Sequence, residues 1–234
     1  MHESLQTMAQ LTIVMEVDVT EAGRMCQELS ERWQAGPDGG VSVTYTHAIV
    51  KAAALALAEH PRLNSTLEGA TIRLLDEINV GVAVALDEGL IVPVVREADH
   101  KPLRQIAVEA RELSEKARQG TLTVDEVTGG TFTVTTLGMY DVDVFTPIVN
   151  PPQCAILGVG RVKEVPAFLA RGGQTAARLG ESASGEEGDR VVRRSVLNLS
   201  LSFDHRVVDG APAAEFLRRV KHYLEHPHLL LAEE

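Results

Sequence analysis

The chain has 234 residues, a formal net charge of −11 at pH 7, 44% hydrophobic residues and 24% charged residues. This length suits one large domain or two small ones, and with only 4% aromatic residues the core must be built from Val, Leu, Ile and Ala. The acidic balance argues against nucleic acid as a partner, because contacts with phosphate groups need a basic surface.

The first part of the chain shows a strand pattern followed by two helix patterns. Residues 10–19 alternate between apolar and polar side chains and predict a strand, and residues 20–34 predict a helix that ends at the Gly- and Pro-rich stretch 35–40. Residues 46–61, "THAIVKAAALALAEHP", are apolar on most faces of a helix. They predict a buried helix that ends at Pro61.

Five later stretches predict strands and two predict helices. The strand candidates are short and rich in β-branched residues, and they are residues 78–86, 90–95, 130–136, 153–162 and 190–203. The helix candidates have apolar residues at helical spacing, and they are residues 103–119, followed by Gly120, and about 212–226. Because no linker separates these elements, they predict a single α/β domain over residues 1–234, a two-layer mixed sheet with helices packed on it.

One segment departs from this pattern. Residues 170–190 are rich in Gly, Ala, Ser and Glu. That composition cannot bury a core, so we expect an exposed and mobile loop.

The cysteines and histidines are the residues that could bind a metal ion. Cys26 and Cys154 lie far apart without metal-binding spacing, so both are expected to be reduced and buried, as in a cytoplasmic protein. His222 and His226 could hold a metal ion with His228, but no set of carboxylates accompanies them. A solvated helix face is the favoured interpretation, and no metal site is predicted. No apolar run reaches the length of a membrane span and no signal peptide is present, so no membrane partner is expected.

The densest cluster of polar side chains is "SFDHRVVDG", residues 202–210, at the end of a predicted strand. A histidine side chain in general titrates near neutral pH, which is why a residue of the type of His205 can accept a proton from a thiol or a hydroxyl and return it later. The flanking Asp204, Arg206 and Asp209 could hold the imidazole in one tautomer and orientation. The alternative is a structural turn, in which the two aspartates cap backbone amides and Arg206 pairs with one of them.

A nucleophile for covalent catalysis is not apparent. The chain has no Gly-x-Ser-x-Gly motif, and Cys154 lies in an apolar strand. Thr131, Thr133 and Thr135 alternate onto one face of a predicted strand, where threonine is common for its β-propensity alone. A hydroxyl at the end of that strand, on Thr135 or Thr136, could donate a hydrogen bond to an oxyanion. Spacing alone leaves both interpretations open.

Several long stretches resemble the dihydrolipoamide acyltransferases, the core components of 2-oxo acid dehydrogenase complexes. The most specific is "LNLSLSFDHRVVDGAPAAEFLRRVKHYLEHPHLLL", which resembles the C-terminal signature of the family. Two others, "GGTFTVTTLGMYDVDVFTPIVNPPQCAILGVGRV" and "GVAVALDEGLIVPVVREAD", resemble further signatures, and all of them are colinear over nearly the whole chain. The resemblance implies a fold like that of chloramphenicol acetyltransferase. It also implies a homotrimer that builds a larger core, with the active site in a channel between two subunits.

The same resemblance implies the reaction and the roles of three residues. The reaction is acyl transfer between dihydrolipoamide on a lipoyl domain and coenzyme A, both of them substrates, with no cofactor bound covalently in this chain. His205 resembles the general base that deprotonates the attacking thiol, and Thr135 resembles the hydroxyl, from the neighbouring subunit, that hydrogen-bonds the oxyanion. Asp209 resembles the carboxylate that keeps the histidine loop, the residues around His205 in the stretch 202–210, in place through an ion pair. The residues that contact coenzyme A are not identified.

Alternatives stay open for the acyl group and for the function. Acetyl is preferred, with a branched-chain acyl group as the alternative. A non-catalytic structural core subunit of such a complex would be expected to lack the histidine, which is present as His205. O-acetylation of the chloramphenicol type would use a hydroxyl acceptor.

Full-length family members carry lipoyl and subunit-binding domains before this region; neither is recognised here, so the chain is interpreted as a truncated catalytic core or a stand-alone form.

Overall fold

The main feature of the structure is a mixed β-sheet, seen in a computed structural model that describes residues 2–34, 40–86, 89–169 and 190–232. The strands, in chain order, are β1 (Gln10–Asp18), β2 (Ser65–Glu68), β3 (Thr71–Leu74), β4 (Val80–Val82), β5 (Val84–Leu86), β6 (Gly89–Ile91), β7 (Val94–Val95), β8 (Phe132–Thr136), β9 (Ala155–Val159), β10 (Lys163–Leu169) and β11 (Arg190–Asp204). The helices are α1 (His2–Thr7), α2 (Thr20–Gln34), α3 (Tyr45–Glu59), α4 (Leu103–Gln119), α5 (Val124–Val127) and α6 (Gly210–Glu225). Short 3-10 helices lie at Pro61–Leu63, Gly138–Tyr140 and Pro227–Leu231.

The 15-residue strand β11 organises the seven-stranded main sheet. The strand order is β1-β11-β9-β8-β4-β7, and β10 pairs with the first half of β11. Strand β8 is parallel to both β4 and β9, whereas the other pairs of this sheet are antiparallel. The register between β1 and β11 places Gln10 opposite Asp204. The start of the chain therefore lies beside the end of β11.

Helices α2, α3 and α6 cover one face of the sheet. The side chains that point to this face are fully buried in the central strands, including Phe132 of β8, Leu157 of β9 and Phe203 of β11. Phe216 of α6 meets Phe132 edge-on, with ring centroids 5.7 Å apart. Each such side chain contributes about 1.5–3 kcal/mol through its burial. This apolar layer fixes the ends of the strands, from which the polar residues of interest project.

The opposite face of the sheet carries small and polar side chains. Thr135, Gly158 and Ser200 lie in register across β8, β9 and β11, so they point to the same side. A Cβ atom added to Gly158 would lie 2.9 Å from Phe145 Cζ and 3.1 Å from Pro147 Cγ. Only glycine fits beneath the irregular chain that crosses this face. The prediction of a mixed sheet with helices packed on it is confirmed.

Most predicted elements form where the sequence placed them. Helix α2 has the predicted bounds, and α3 buries ten consecutive residues from Ala48 to Leu57. Gly120 ends α4 in the left-handed conformation, with φ of 68°. Both cysteines are buried and free of disulfide bonds, as expected. No helix in the described part of the chain is long and apolar enough to cross a membrane.

Two strand predictions need correction, and several elements were not predicted. The stretches 78–86 and 90–95 were each expected to be one strand, but each is divided in two. Strands β4 and β7 stay in the main sheet, while β5 and β6 form a separate two-stranded sheet. Pro93 lies at the second break, because it lacks the N–H that a ladder needs. The elements α1, β2, β3, α5 and β10 were not predicted.

Two predicted loops fall largely outside the described residues. These are residues 35–40, of which only position 40 is described, and residues 170–190, of which only Arg190, the first residue of β11, is described.

Candidate functional site

His205 is the first residue after β11. Its backbone N–H donates to the Ala9 carbonyl at 2.9 Å, which extends the pairing of β1 and β11 by one residue. The imidazole is 46% exposed and lies 6.0 Å, centroid to centroid, from the ring of Phe203. Its Nδ1 atom is 3.8 Å from Asp209 Oδ1. The histidine is thus accessible to a substrate, while its backbone is fixed by the sheet.

Asp204 and Arg206 form a two-pronged ion pair on either side of this histidine. Arg206 donates from Nε to Asp204 Oδ1 at 3.0 Å and from Nη2 to Oδ2 at 2.5 Å. The backbone N–H groups of Arg206 and Ala9 also donate to Oδ1, at 3.1 and 3.3 Å. Burial opposes ionisation of Asp204, but the hydrogen bonds from Arg206 outweigh it and hold the pKa of this carboxyl below its usual range. Asp204 is therefore ionised at neutral pH.

Asp209 has a different environment. It occupies the N-cap position of α6, but its side chain makes no capping hydrogen bond and is 80% exposed. The structural alternative predicted that both aspartates cap backbone amides and that Arg206 pairs with one of them. The pairing of Arg206 with Asp204 and the acceptance of backbone N–H groups by Asp204 are confirmed, and the capping by Asp209 is wrong. The carboxylate instead faces His205. Its role in holding the histidine loop through an ion pair stays a prediction.

The alternating threonines at the start of β8 and within it differ in whether their hydroxyls are hydrogen-bonded. Thr131 exchanges hydrogen bonds with the backbone of Asn79, and Thr133 donates to Gln153 Oε1 at 2.7 Å. The hydroxyl of Thr135 makes no hydrogen bond within the described residues, and this side chain is half-buried at the end of β8. It is the member of the row that can still donate to another molecule.

The structure does not bring Thr135 and His205 together within one chain. Thr135 is in register with Gly158, and Gly158 with Ser200. His205 follows β11 five residues beyond Ser200, in the direction away from the Thr135 end of the sheet. The offset is five residues along the strand, at about 3.3 Å each, and two strands across the sheet, at about 4.8 Å each. The α-carbons of Thr135 and His205 are therefore roughly 19 Å apart.

Two residues that the sequence did not connect with the site also reach the histidine loop. The backbone of Ala9 contacts Asp204 and His205, and Arg62 Nη1 donates to the Val207 carbonyl at 3.3 Å. Both come from segments far away in sequence. No spacing rule marks them, because the contacts of Ala9 use only its backbone and follow from the strand register.

Three histidines lie close together in and just after the last turn of α6. The rings of His222 and His226 are tilted by 39° with centroids 4.5 Å apart, and the ring centroid of His228 lies 6.2 Å from that of His226. His226 Nδ1 is 3.0 Å from the His222 carbonyl oxygen. Among the described residues, no group of three or more His, Cys, Asp or Glu side chains is arranged to hold a metal ion.

Comparison with known sequences gives consistent matches over almost the whole chain. Residues 1–232 match the family described as 2-oxoacid dehydrogenases acyltransferase (catalytic domain). The chain is 41% identical over 231 residues to the dihydrolipoyllysine-residue acetyltransferase of the acetoin cleaving system of Bacillus subtilis, covering 99% of this chain and 53% of that protein. It is 37% identical over 232 residues to the acetyltransferase of the Mycoplasma capricolum pyruvate dehydrogenase complex, covering 98% and 48%. A succinyltransferase of the Arabidopsis thaliana 2-oxoglutarate dehydrogenase complex is 34% identical, covering 99% and 46%. The chain spans about half the length of these relatives.

Solved structures agree with the sequence comparison. Azotobacter vinelandii dihydrolipoamide acetyltransferase, in a structure solved to examine the catalytic roles of a serine, a histidine and an asparagine, matches with a TM-score of 0.84 and 34% identity, covering 98% of this chain and 87% of that one. A structure of the cubic core of the pyruvate dehydrogenase multienzyme complex matches equally well, with a TM-score of 0.84, 34% identity and the same coverage. Chloramphenicol acetyltransferase matches with a TM-score of 0.52 and 15% identity, covering 92% and 88%, which supports the expected fold alone.

Proposed function

The chain belongs to the catalytic-domain family of the 2-oxoacid dehydrogenase acyltransferases, and we propose that it transfers an acyl group between a dihydrolipoyl thiol and coenzyme A. The proposed substrates are an acylated lipoyl group carried on a lipoyl domain and free coenzyme A. The acyl group is acetyl, because the relatives at 41% and 37% identity are acetyltransferases. A succinyltransferase at 34% identity shows why the acyl group needs a direct test.

In the proposed reaction His205 acts as the base. Its imidazole takes the proton from the thiol of coenzyme A, and the sulfur attacks the thioester carbonyl of the acylated lipoyl group. The carbonyl oxygen becomes an oxyanion, which accepts a hydrogen bond from the Thr135 hydroxyl. The intermediate then expels the lipoyl sulfur, which takes the proton back from His205. One thioester forms and one breaks, so the imidazole ends as it began.

The observation that carries this proposal is the placement of His205 and Thr135. Both can reach another molecule, because His205 is accessible and Thr135 has an unbonded hydroxyl, yet they lie roughly 19 Å apart in one chain. We propose that they meet across an interface, with Thr135 from one copy and His205 from the next, in a trimer that builds a larger core. Ring-like interfaces of this kind join different patches of identical subunits. The match to a cubic multienzyme core supports such an assembly.

The spacing around the histidine gives further support. The histidine and the asparagine studied in the Azotobacter enzyme are four residues apart, as are His205 and Asp209. In this chain an aspartate therefore stands at the spacing of that asparagine. Asp209 is proposed to orient the imidazole from the Nδ1 side, where the two groups are 3.8 Å apart.

The test is acyl transfer to free dihydrolipoamide from acetyl-, isobutyryl- and succinyl-coenzyme A, with His205→Ala as the matched variant. We expect turnover with acetyl-coenzyme A that falls at least about 1,000-fold in the variant, because removal of the base leaves only binding and the oxyanion donor. A preference for isobutyryl- or succinyl-coenzyme A would revise the acyl group alone. A trimeric or larger wild-type protein that transfers none of them would favour a structural core subunit instead.

A further inference from the structure

Asp204 is a charged and almost fully buried residue to which the proposed reaction gives no chemical step. Its side chain is 2% exposed, and its two oxygens accept from the Arg206 guanidinium and from the backbone N–H groups of Ala9 and Arg206. Its own backbone N–H donates to Cys154, and its carbonyl accepts from Val207 and Val208. All the polar groups of Asp204 are therefore engaged in holding the loop.

Ala9 is held by two consecutive residues of that loop. Its N–H donates to Asp204 Oδ1 at 3.3 Å, and its carbonyl accepts the His205 N–H at 2.9 Å. The His205 side chain has fewer restraints, because it is 46% exposed and its charged neighbour Asp209 is 3.8 Å away. The position of the imidazole therefore depends chiefly on its backbone, and that backbone depends on Ala9 and Asp204.

The N-terminal segment that carries Ala9 is itself anchored. Ser4 is fully buried, donates to the Val149 carbonyl at 2.6 Å and accepts from Gln10 Nε2 at 2.8 Å. The Gln10 side chain also accepts the Val149 N–H at 3.2 Å. Ser4 and Gln10, on either side of Ala9, are thus both bonded to the backbone of Val149. The backbone of Ala9 is therefore fixed in place and can position the residues that it contacts.

We infer that Asp204 is a positioning residue, which together with the backbone of Ala9 sets the location of the His205 imidazole. This inference rests on the proposed role of His205 as the base. A carboxylate suits the position because it accepts from all four donors at once, whereas an amide presents N–H groups to the guanidinium. A shift of about 1 Å in a reacting group costs roughly 100-fold in rate.

The first test is Asp204→Asn in the full chain. The variant keeps an acceptor for the two backbone N–H groups but loses the two-pronged pair with Arg206. We expect kcat to fall about 10- to 100-fold while KM for both substrates changes less than about twofold, because the base is misplaced and the substrate sites are unaltered. Glu59→Gln is the matched control for destabilisation, since it breaks an ion pair with Arg219 in another part of the molecule. It should lower Tm and leave kcat unchanged.

A second test removes one donor without touching the carboxylate. Ala9→Pro deletes the N–H that reaches Asp204 but keeps the carbonyl that accepts from His205, and Ala9→Gly keeps both groups. We expect kcat to fall in Ala9→Pro and to stay near the wild-type value in Ala9→Gly. If Asp204→Asn does not fold, the comparison of Ala9→Pro with Ala9→Gly still tests whether the contact between Ala9 and Asp204 positions His205.

The outcomes separate this inference from the proposed function. It is overturned if neither Asp204→Asn nor Ala9→Pro lowers kcat, or if they lower it only as Glu59→Gln does. If the wild type transfers no acyl group, the proposed function fails, and hydrogen exchange of the His205 amide becomes the criterion. Faster exchange in Asp204→Asn than in Glu59→Gln would then support the positioning role, and equal exchange would refute it.

Discussion

Two threonines at the end of β8 show how one residue step changes what a hydroxyl can do. Thr136 points to the helix-covered face, and its hydroxyl accepts the Gly138 N–H at 3.4 Å. Thr135 points to the opposite face, and within the described ranges its hydroxyl has no hydrogen bond. A donor that has no internal bond to break is already prepared for an oxyanion. The alternation of the strand therefore favours Thr135 over Thr136 as the proposed donor, a choice that spacing alone left open.

The substitution Thr135→Ala should therefore lower kcat by about 100- to 1,000-fold, the usual cost of removing one oxyanion donor. Thr135→Ser should retain most of the activity, because it keeps the hydroxyl. Thr136→Ala is the matched control and should change kcat less than about threefold, since it removes only a turn contact. Steady-state acyl transfer from acetyl-coenzyme A measures all three. Equal losses in Thr135→Ala and Thr136→Ala would contradict the assignment.

The two aspartates near His205 also differ at the residue scale. Asp204 is buried with four donors around it, whereas Asp209 is 80% exposed and its Oδ1 atom lies 3.8 Å from His205 Nδ1. Even a full ion pair between such exposed groups contributes only about 0.2–1 kcal/mol in water. Within a single chain Asp209 is therefore a weak restraint, and the loop is held from the other side. An interface that excludes water around Asp209 would strengthen its effect on the imidazole.

At the scale of elements, the start of α3 contains a histidine where helices often have glutamate or glutamine. The Thr44 backbone N–H at the N-cap donates to His47 Nδ1 at 3.2 Å, so the imidazole must be neutral to accept. Burial lowers the pKa of His47 from 6.5 to about 4. Because the unfolded chain binds a proton near pH 6.5 and the folded chain does not, stability falls as the pH falls through this window.

We expect the wild type to lose up to about 3 kcal/mol of unfolding free energy between pH 6.5 and 4 through this residue, at 1.36 kcal/mol per pKa unit. His47→Gln keeps an acceptor for the Thr44 N–H and cannot be protonated. It should match the wild type at pH 7 and exceed its stability at pH 4.5. Urea unfolding at both pH values and one protein concentration provides the measurement. The same pH dependence in both proteins would exclude His47 as its source.

The elements that the sequence did not predict share a physical cause. Strand β10 contains Pro166, which is tolerated because β11 is the one strand that β10 pairs with among the described residues, so that its other edge needs no donor there. The hairpin of β2 and β3 has strands of four residues, too short for a clear alternation, although Gly69 at φ of 62° marks its turn. Long periodic segments such as α2 and β11 were predicted because many residues report the same period. Short edge elements depend on tertiary pairing.

At the scale of the whole molecule, the site was only partly predictable. The motif around His205 and the hydroxyl of Thr135 are visible in the sequence, but their separation is a property of the sheet. Strand β8 is parallel to β9 and β9 is antiparallel to β11, so the end of β8 is level with Leu199, one strand away across β9, and is far from His205. No periodicity in one chain contains this information. The support of the histidine by Ala9 is likewise set by the register of β1 against β11.

This geometry makes a quantitative prediction about mixed assemblies. If each active site takes Thr135 from one copy and His205 from another, a chain that lacks one group can still contribute the other. Equal amounts of Thr135→Ala and His205→Ala chains, unfolded and refolded together, should recover about a quarter of the wild-type activity, since one interface in four combines both intact groups.

The controls follow from the same arithmetic. Each variant refolded alone should keep no more than about 1% of the wild-type activity, and the two variants mixed after folding should gain activity only as fast as subunits exchange. Tagging the two variants differently and measuring the activity of doubly purified assemblies would show that the recovered sites belong to hybrids. If hybrids form but remain inactive, Thr135 and His205 do not act together across an interface. His205 would then need an oxyanion donor from elsewhere, and the accessible groups of the histidine loop, Arg206 first among them, would be the next to test.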